Sequence, residues 1–360
     1  MSSSESRFWS EPWIRSFYRH ISWSAHSPTV LLMEAGMSAL KEFLYEICIP
    51  GIGLLCVLAA LLNIAVFISR YHVKSRSSSL EMTYSLALSD TWTSFVIALS
   101  LFWNSYKPVV LQIRHNTYCF PLTLEAFRTG GLLTGIFHLV ALAFAHYLQI
   151  RRPFDHQKIL PLRIVHLVIF LIWAVPPLGL MAYFGSWEGQ GYRNESCMGI
   201  AFYENFYFRS QISVIIIILI ITTTIFYVRM LQKVSEVRTK TAQATSARGR
   251  RTVVTAVLIF GTFLFGWMPA SILFILTAEG MPLYHKQSVW INVLSIVVLV
   301  NIMVKTLTNP IIYATRIPEI RQFVLHKLLW KIVPLREVQR RKSEFAPLRE
   351  RTQLTSTQVV

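Results

Sequence analysis

Four charged side chains lie at least three residues inside stretches of the sequence that are otherwise apolar: Asp90, Glu125, Arg128 and Lys305. A charge at the centre of a membrane costs about 2.5–3.5 kcal/mol on insertion scales, so such residues usually serve a function or pair with one another. Glu125 and Arg128 are three positions apart, which allows an ion pair on one helix face. Lys305 precedes Asn309 by four positions, so these two side chains also share a face.

The last apolar stretch ends with a proline that could let a helix end move. Pro310 removes a backbone donor and kinks the helix that contains it. In lipid, the freed carbonyl groups must find partners inside the protein, and the neighbouring Asn309 can supply one. Tyr313, three residues later, would move with the kinked end. The segment therefore predicts a helix whose final turns can change position.

Long apolar stretches must position these residues. The chain is 53% hydrophobic and 15% charged, with a mean hydropathy of +0.46, whereas soluble domains carry about 25% charged residues. Each stretch is close to or above the roughly 20 residues that cross a bilayer as a helix. The stretches are Ile47–Ser69, Met82–Trp103, Leu122–Tyr147, Ile164–Phe184, Phe208–Val228, Thr252–Leu276 and Val289–Tyr313. They predict an all-α membrane protein with a bundle of seven transmembrane helices.

The distribution of positive charge predicts the topology. The net charge is +17, and by our count 24 of the 35 Lys and Arg residues lie in the loops after the first, third and fifth stretches or after Tyr313. Positive residues accumulate on the cytoplasmic side, so we expect an extracellular N-terminus and a cytoplasmic C-terminus. The basic loops then face the acidic inner leaflet, which explains the charge without nucleic-acid binding.

Five motifs in a fixed order carry a family resemblance. They are Asn63, Leu86-Ala87-Leu88-Ser89-Asp90, Trp173, Phe263-Leu264-Phe265-Gly266-Trp267-Met268-Pro269 and Asn309-Pro310-Ile311-Ile312-Tyr313. Together they resemble the rhodopsin-like (class A) G-protein-coupled receptors. The resemblance implies a short amphipathic eighth helix after the seventh span. The segment from Ile317 to Trp330 is typical of such a helix, because Ile320 and Phe323 share one side.

Four segments follow from this organisation. We expect an extracellular N-terminal tail over 1–46 and a seven-transmembrane receptor domain over 47–316. An amphipathic membrane-surface helix should occupy 317–331. The basic, hydroxyl-rich residues 332–360 predict a disordered cytoplasmic tail.

The resemblance also implies an activation switch. Its residues would be Asp90, Lys305, His146, Tyr147, Tyr227, Phe263, Trp267, Pro269, Asn309, Pro310 and Tyr313. Here Ala145-His146-Tyr147 stands where the family has Asp-Arg-Tyr, and the start of the sixth helix has no acidic residue near Gly249. The usual inactivating ion pair therefore cannot form in its usual way. We expect measurable ligand-free signalling unless His146 prevents coupling.

Lys305 departs from the family at a cation site. Asp90 resembles the family's sodium-binding acid, and Lys305 replaces an Asn that normally lies beside the sodium ion. The usual Ser of that site appears as Gly135. We expect the Lys305 ammonium to occupy the position of sodium next to Asp90. The alternative is that Lys305 extends to the membrane surface or meets another acceptor.

Arg128 indicates the chemistry of the ligand. It stands where amine receptors carry an Asp, and a cation there repels a protonated amine. It would favour an acidic group on a peptide or an anionic small molecule, as in a neuropeptide receptor. The predicted ligand site contains Arg128, Glu125 and Trp267. Pairing of Arg128 with Glu125 within the helix is the structural alternative.

Two cysteines and a sequon lie on the predicted extracellular side. Cys119 precedes the third span and Cys197 lies in the loop before the fifth, on the side where disulfides persist. Their pairing also matches the rhodopsin-like pattern and would hold the loop over the mouth of the bundle. Asn194-Glu195-Ser196 on that loop is a glycosylation sequon.

These features predict a plasma-membrane receptor that transduces an extracellular ligand to a heterotrimeric G protein, with arrestin and membrane lipid as further partners. We expect no enzyme activity, cofactor or metal, because the sequence has no Gly-x-x-x-x-Gly-Lys, His-Glu-x-x-His or clustered metal ligands. A non-signalling decoy or scaffold receptor of the same fold is the main alternative. A transporter or channel is a weaker one, since neither an internal repeat nor paired broken helices are visible.

Overall fold

Among the described residues, seven long helices, and a short helix that follows the seventh, position the site, and shorter helical turns lie in the loops. The computed structural model describes residues 40, 42–74, 76–113, 117–197, 199, 201–240, 247–284 and 289–324. The long helices are α1 Phe43–Ser69, α2 Ser78–Val109, α3 Cys119–Arg151, α4 Leu162–Phe184, α5 Phe206–Lys240, α6 Ala247–Leu276 and α7 Val289–Arg316. The short helix is α8 Pro318–Phe323. All seven long helices are long and apolar enough to cross a membrane, which confirms the predicted seven-helix membrane bundle.

The helices extend beyond the apolar stretches that predicted them. α1 begins at Phe43 rather than Ile47, and α2 continues through a wider helical turn, Phe102–Tyr106, to Val109. Backbone hydrogen bonding carries a helix past the end of its hydrophobic stretch, so hydrophobicity marks the membrane crossing rather than the helix ends. The first 39 residues, which hold most of the predicted N-terminal tail, lie outside the described residues.

α3 runs through the interior of the bundle. Its membrane-crossing window is 67% buried, compared with 17% for the peripheral α4. Gly130 allows α3 and α4 to approach closely, because a Cβ there would lie 2.7 Å from the Cα of Pro177. Large apolar side chains such as Leu54, Phe95 and Phe170 are exposed on the outside of the bundle, where lipid would surround them.

A buried hydrogen-bond network joins α2, α3 and α4. His138 Nδ1 lies 2.9 Å from the Thr134 carbonyl oxygen, which can only accept, so Nδ1 carries the proton. His138 Nε2 then accepts from Ser85 Oγ at 2.8 Å, and Trp173 Nε1 donates to the same Ser85 oxygen at 3.0 Å. A neutral His138 therefore has a partner for each ring nitrogen, and Ser85 connects it to Trp173. These hydrogen bonds fix the three helices relative to one another.

We call the end of the bundle with Cys119 and Cys197 the outer end, and the end with α8 the inner end. At the inner end, Ile320 and Phe323 of α8 are buried whereas Arg321 is exposed, so the described part of this helix is amphipathic. The rest of the predicted surface helix and the predicted tail, residues 325–360, lie outside the described residues.

Candidate functional site

A buried ion pair lies at the centre of the bundle between α2 and α7. Lys305 Nζ is 3.1 Å from Asp90 Oδ1 and 3.5 Å from Asp90 Oδ2. Asn309 Nδ2 donates to Asp90 Oδ2 at 2.7 Å. The side chains of Lys305 and Asp90 are only 3% and 6% exposed, so the pair is shielded from solvent. The structure thus brings Asp90, Lys305 and Asn309 into one cluster, and Asn309 directly precedes Pro310 of α7.

Two glycines border this cluster, and a Cβ on the first of them would crowd it. A Cβ on Gly266 of α6 would lie 3.1 Å from Lys305 Cβ and 3.5 Å from its Cγ. A Cβ on Gly135 of α3 would lie 3.9 Å from Asp90 Oδ1. Both glycines stand where the resemblance leads one to expect Cys and Ser, so three departures from the family pattern surround one ion pair. The resemblance already places Gly135 and Lys305 at one site, and the structure adds Gly266 to it.

Toward the inner end, the predicted switch residues are buried in the bundle. Phe263 and Tyr313 are completely buried, and Tyr227 packs against Phe260 of α6 with ring centroids 5.0 Å apart. Several buried polar atoms of the predicted switch residues, from the centre of the bundle to its inner end, have no hydrogen-bond partner within the described residues. They are Trp267 Nε1, Asn309 Oδ1, Tyr313 OH, Tyr227 OH and His146 Nδ1.

The departures at the end of α3 leave no charged contact to α6 among the described side chains. His146 is buried beside the small Ala145, and its ring forms no ion pair in the described part of the chain. Tyr147 instead accepts a hydrogen bond from Arg151 of its own helix and packs against Phe226 of α5. Pro269 lies within α6, outward of Phe263.

The two charges predicted for the ligand site form a pair on α3. Arg128 Nη2 lies 2.5 Å from Glu125 Oε1, so the structural alternative for Arg128 is realised. Tyr203, in the turn before α5, donates its hydroxyl to the same Glu125 oxygen at 2.6 Å. Burial, followed by the Glu125 charge, raises the pKa of Tyr203, so its phenol remains a proton donor. Sequence analysis does not identify Tyr203 as a site residue, because only the folded loop brings it to α3.

The third predicted ligand residue lies apart from this pair. Trp267 is on α6 and is 5% exposed. Among the described residues, no hydrogen bond links Trp267 to Glu125 or Arg128, whose side chains are 14% and 24% exposed. The ion pair is therefore the more accessible part of the predicted site, while Trp267 belongs to the buried core.

A disulfide ties the loop between α4 and α5 to the start of α3. Cys119 and Cys197 are bonded, which confirms the predicted bridge. Two hydrogen bonds reinforce it: Tyr118 N–H donates to Ser196 O at 3.0 Å, and Tyr192 OH donates to Thr123 Oγ1 at 3.0 Å.

The same loop makes a tight turn that only glycine can occupy. Gly191 has a φ of +53°, and a Cβ there would lie 2.4 Å from the Phe184 carbonyl oxygen. Asn194 is on this loop and accepts the Ser196 N–H at 3.1 Å, and its glycosylation stays a prediction.

The bundle, its buried ion pair and its disulfide-tethered loop define a seven-helix membrane receptor. The family described as 7 transmembrane receptor (rhodopsin family) matches residues 61–313. This match covers more than half of the chain, so the chain belongs to that family. A comparison with curated proteins gives no match.

The family match establishes the class and the location of the protein. Members of the family are receptors rather than enzymes, and the chain is a multi-pass plasma-membrane protein. Within the residues that the structure describes, no group of three or more His, Cys, Asp or Glu side chains could hold a metal ion.

Proposed function

We propose that this receptor transduces binding of an extracellular ligand at its outer end to a heterotrimeric G protein at its inner end. The observation that carries the proposal is the cluster of Asp90, Lys305 and Asn309, which connects α2 to the part of α7 directly before Pro310. A ligand acts by favouring one of two arrangements of the bundle. Contacts between α2 and α7 that can break as a unit provide such a pair of arrangements.

The inner end supplies the moving parts of this mechanism. Pro269 allows the inner half of α6 to swing away, and Pro310 allows the end of α7 with Tyr313 to repack inward. The opened cleft would admit the G protein, which would contact His146, Pro153 and the basic loop between α5 and α6. Arrestin would use the same cleft, and inner-leaflet lipids would contact the basic loops.

We further propose that the ligand carries an acidic group, as a peptide or an anionic small molecule does. Arg128 is partly exposed and already binds one carboxylate, that of Glu125. A ligand acid can take the place of Glu125 on the guanidinium while Tyr203 keeps its hydrogen bond to the displaced carboxylate. A monoamine would have to approach the Arg128 cation without such an exchange.

A ligand-library screen with a second-messenger readout tests this function directly. Once an acidic ligand is found, Arg128→Ala should weaken its binding by about 1.5–3 kcal/mol, the scale of a charged hydrogen bond. Arg193→Ala is the matched control, because that arginine side chain is 55% exposed and, among the described residues, pairs only with the exposed Glu188. Nanomolar activation by a simple monoamine would contradict the proposed ligand class.

A non-signalling decoy or scaffold receptor is the second candidate, and His146 in place of the family Arg favours it. Ala145→Asp combined with His146→Arg rebuilds the family motif and separates the two functions. A signalling receptor should show ligand-free second-messenger output in the wild type, and the double variant should change it. If the receptor is a decoy, the wild type should give no second-messenger output. Identical output from both forms, with and without ligand, would show that this motif does not control signalling.

A further inference from the structure

An arginine that the mechanism above does not use is buried at the start of α5. Arg209 is only 4% exposed. Its Nε donates to the Tyr203 carbonyl at 3.1 Å, and its Nη1 donates to the Thr277 carbonyl at 2.9 Å and the Thr277 hydroxyl at 2.8 Å. None of these acceptors is a carboxylate. A buried charge is costly unless its surroundings compensate it, so the environment of Arg209 must supply negative potential.

The outer end of α6 supplies part of this potential, and the nearby carboxylates of Glu204 and Glu125 add to it. α6 ends at Leu276, directly before Thr277. The final carbonyl groups of a helix lack intrahelical donors and carry partial negative charge. The guanidinium also lies 5.1 Å from the ring centre of Phe274 and 5.7 Å from that of Tyr203, within the range of cation–π attraction. Arg209 therefore caps the C-terminus of α6 from the neighbouring helix.

The loops on both sides of Arg209 are joined to each other. Glu279 N–H donates to the Glu204 carbonyl at 3.0 Å, and Tyr284 OH donates to the Glu204 carboxylate at 2.9 Å. Burial and the Glu204 charge raise the pKa of Tyr284 to about 12, so this phenol keeps its proton. The loop 277–284 is thus attached to the turn 201–205 from which Tyr203 reaches Glu125.

α5 and α6 are also joined deeper in the bundle. Ser213 Oγ, one helical turn after Arg209 on α5, donates to the Ser271 carbonyl of α6 at 3.2 Å. The Ser271 and Thr277 carbonyls both accept hydrogen bonds from α5 side chains. Two levels of contact along one face hold the outer part of α6 in a defined orientation.

We propose that Arg209 is a positioning residue that fixes the outer end of α6 against α5 and the loop carrying Tyr203. The outer end then acts as a pivot, so a movement of α6 displaces its inner end while the outer end stays in place. The link from this pivot to signalling rests on the proposed function, whereas the anchoring of α6 does not. The ion pair on α3 reaches the pivot through Tyr203, which contacts both Glu125 and Arg209.

Hydrogen exchange of the purified full-length receptor in lipid nanodiscs tests the anchor. Arg209→Gln should speed amide exchange in peptides covering 201–205 and 277–284 about tenfold or more, because it removes charged hydrogen bonds that oppose local opening. Peptides from α1 should exchange as in the wild type and serve as the internal reference. Arg193→Gln, which removes an exposed arginine of the same predicted side, should change nothing.

Arg209→Lys distinguishes the guanidinium from its charge. Lysine keeps a positive charge near the end of α6 but has no planar fork to reach Tyr203 and Thr277 together, so exchange should be intermediate. If Arg209→Gln does not fold, hydrogen exchange of Arg209→Lys alone tests whether Arg209 anchors α6. Wild-type exchange in Arg209→Lys, or an equal increase over the whole chain in either variant, would overturn the proposal.

A signalling measurement keeps this proposal separate from the proposed function. If the receptor signals, Arg209→Gln should change ligand-free second-messenger output at equal surface expression, whereas Arg193→Gln should not. Unchanged output in a signalling receptor would overturn the pivot. A receptor that is silent with every ligand and G protein would contradict the proposed function, and the exchange data would then decide the anchor alone.

Discussion

The outer and inner ends of the bundle differ in how completely their buried polar groups are paired, although Asn104 Oδ1 near the outer end also has no partner within the described residues. At the outer end, Glu125, Tyr203 and Arg209 all have hydrogen-bond partners, and Cys119 is covalently joined to the loop. At the inner end, several of the buried polar atoms make no hydrogen bond within the described residues. They include Tyr227 OH, Tyr313 OH and His146 Nδ1. The Asp90–Lys305 pair lies between the two ends.

This difference indicates where the molecule can rearrange. A buried polar group without a partner costs about 1–3 kcal/mol, so water, a bound protein or a different helix arrangement that satisfies it lowers the free energy. At the outer end, any rearrangement must first break existing hydrogen bonds. The outer end is therefore built to hold its arrangement, and the inner end to exchange one arrangement for another.

The largest effect should come from breaking the pair between the two ends. Asp90→Leu or Lys305→Met alone leaves one buried charge without its partner, which destabilises the protein by about 3–5 kcal/mol. The double variant removes both charges and should recover much of this loss. Thermal unfolding of the purified receptor measures all three variants. Equal stability of a single variant and the wild type would mean that solvent already compensates this pair.

Removing the disulfide should have the next largest effect and should act on the outer end. The bridge spans a sequence separation of 78 residues, and Cys119→Ser or Cys197→Ser should cost about 2–4 kcal/mol and lower surface expression. Cys48→Ser is the control, since Cys48 is a free cysteine of α1. Surface labelling of intact cells measures the loss. Normal expression of Cys119→Ser would show that the loop holds its position through hydrogen bonds alone.

A pair of tyrosine substitutions compares the two ends directly. Tyr203→Phe removes a hydroxyl that donates to the Glu125 carboxylate and should cost about 1.5–3 kcal/mol. Tyr313→Phe removes a hydroxyl that has no partner within the described residues, so it should leave stability unchanged or raise it by up to about 1–3 kcal/mol. Unfolding midpoints of the two variants provide the test. A loss for Tyr313→Phe as large as that for Tyr203→Phe would remove the contrast between the ends.

Sequence analysis predicts the fold well because each helix carries its own signal. A stretch of about 20 apolar residues must form a helix in lipid whatever its neighbours do. The spacing of Lys305 and Asn309 likewise predicts a shared face, since four residues complete about one turn. These properties are local in the chain.

The contacts at the outer end depend instead on how the helices and loops meet. From the sequence, Arg209 is one of several basic residues on the predicted external side, and Glu204 carries no signal. Both acquire partners only when the loop before α5 meets the end of α6. Gly266 shows the same limit, because its position suggests a departure from a motif but its contact with Lys305 joins two distant helices.

The smallest expected effect is the absence of a sodium response in the wild type. The Lys305 ammonium lies 3.1 Å from Asp90 Oδ1 and neutralises the carboxylate that would otherwise attract a cation. Unfolding midpoints, and ligand affinity once a ligand is known, should therefore be the same in sodium chloride and in a bulky-cation chloride of equal ionic strength.

In contrast to the wild type, the Lys305→Asn variant should respond to sodium. The variant removes the internal cation, leaves Asp90 charged, and keeps Asn309 as a second polar group beside it. A cation that binds only the folded state raises stability in proportion to the logarithm of its concentration, so sodium should raise the midpoint of this variant. Asp90→Asn added to Lys305→Asn should abolish the response. Because Gly135 contributes no hydroxyl where the family has Ser, the new site should be weak, and the wild-type comparison is the stronger test. A sodium-specific shift in the wild type would mean that Lys305 leaves Asp90 in the membrane, and that the centre of the bundle is as adaptable as its inner end.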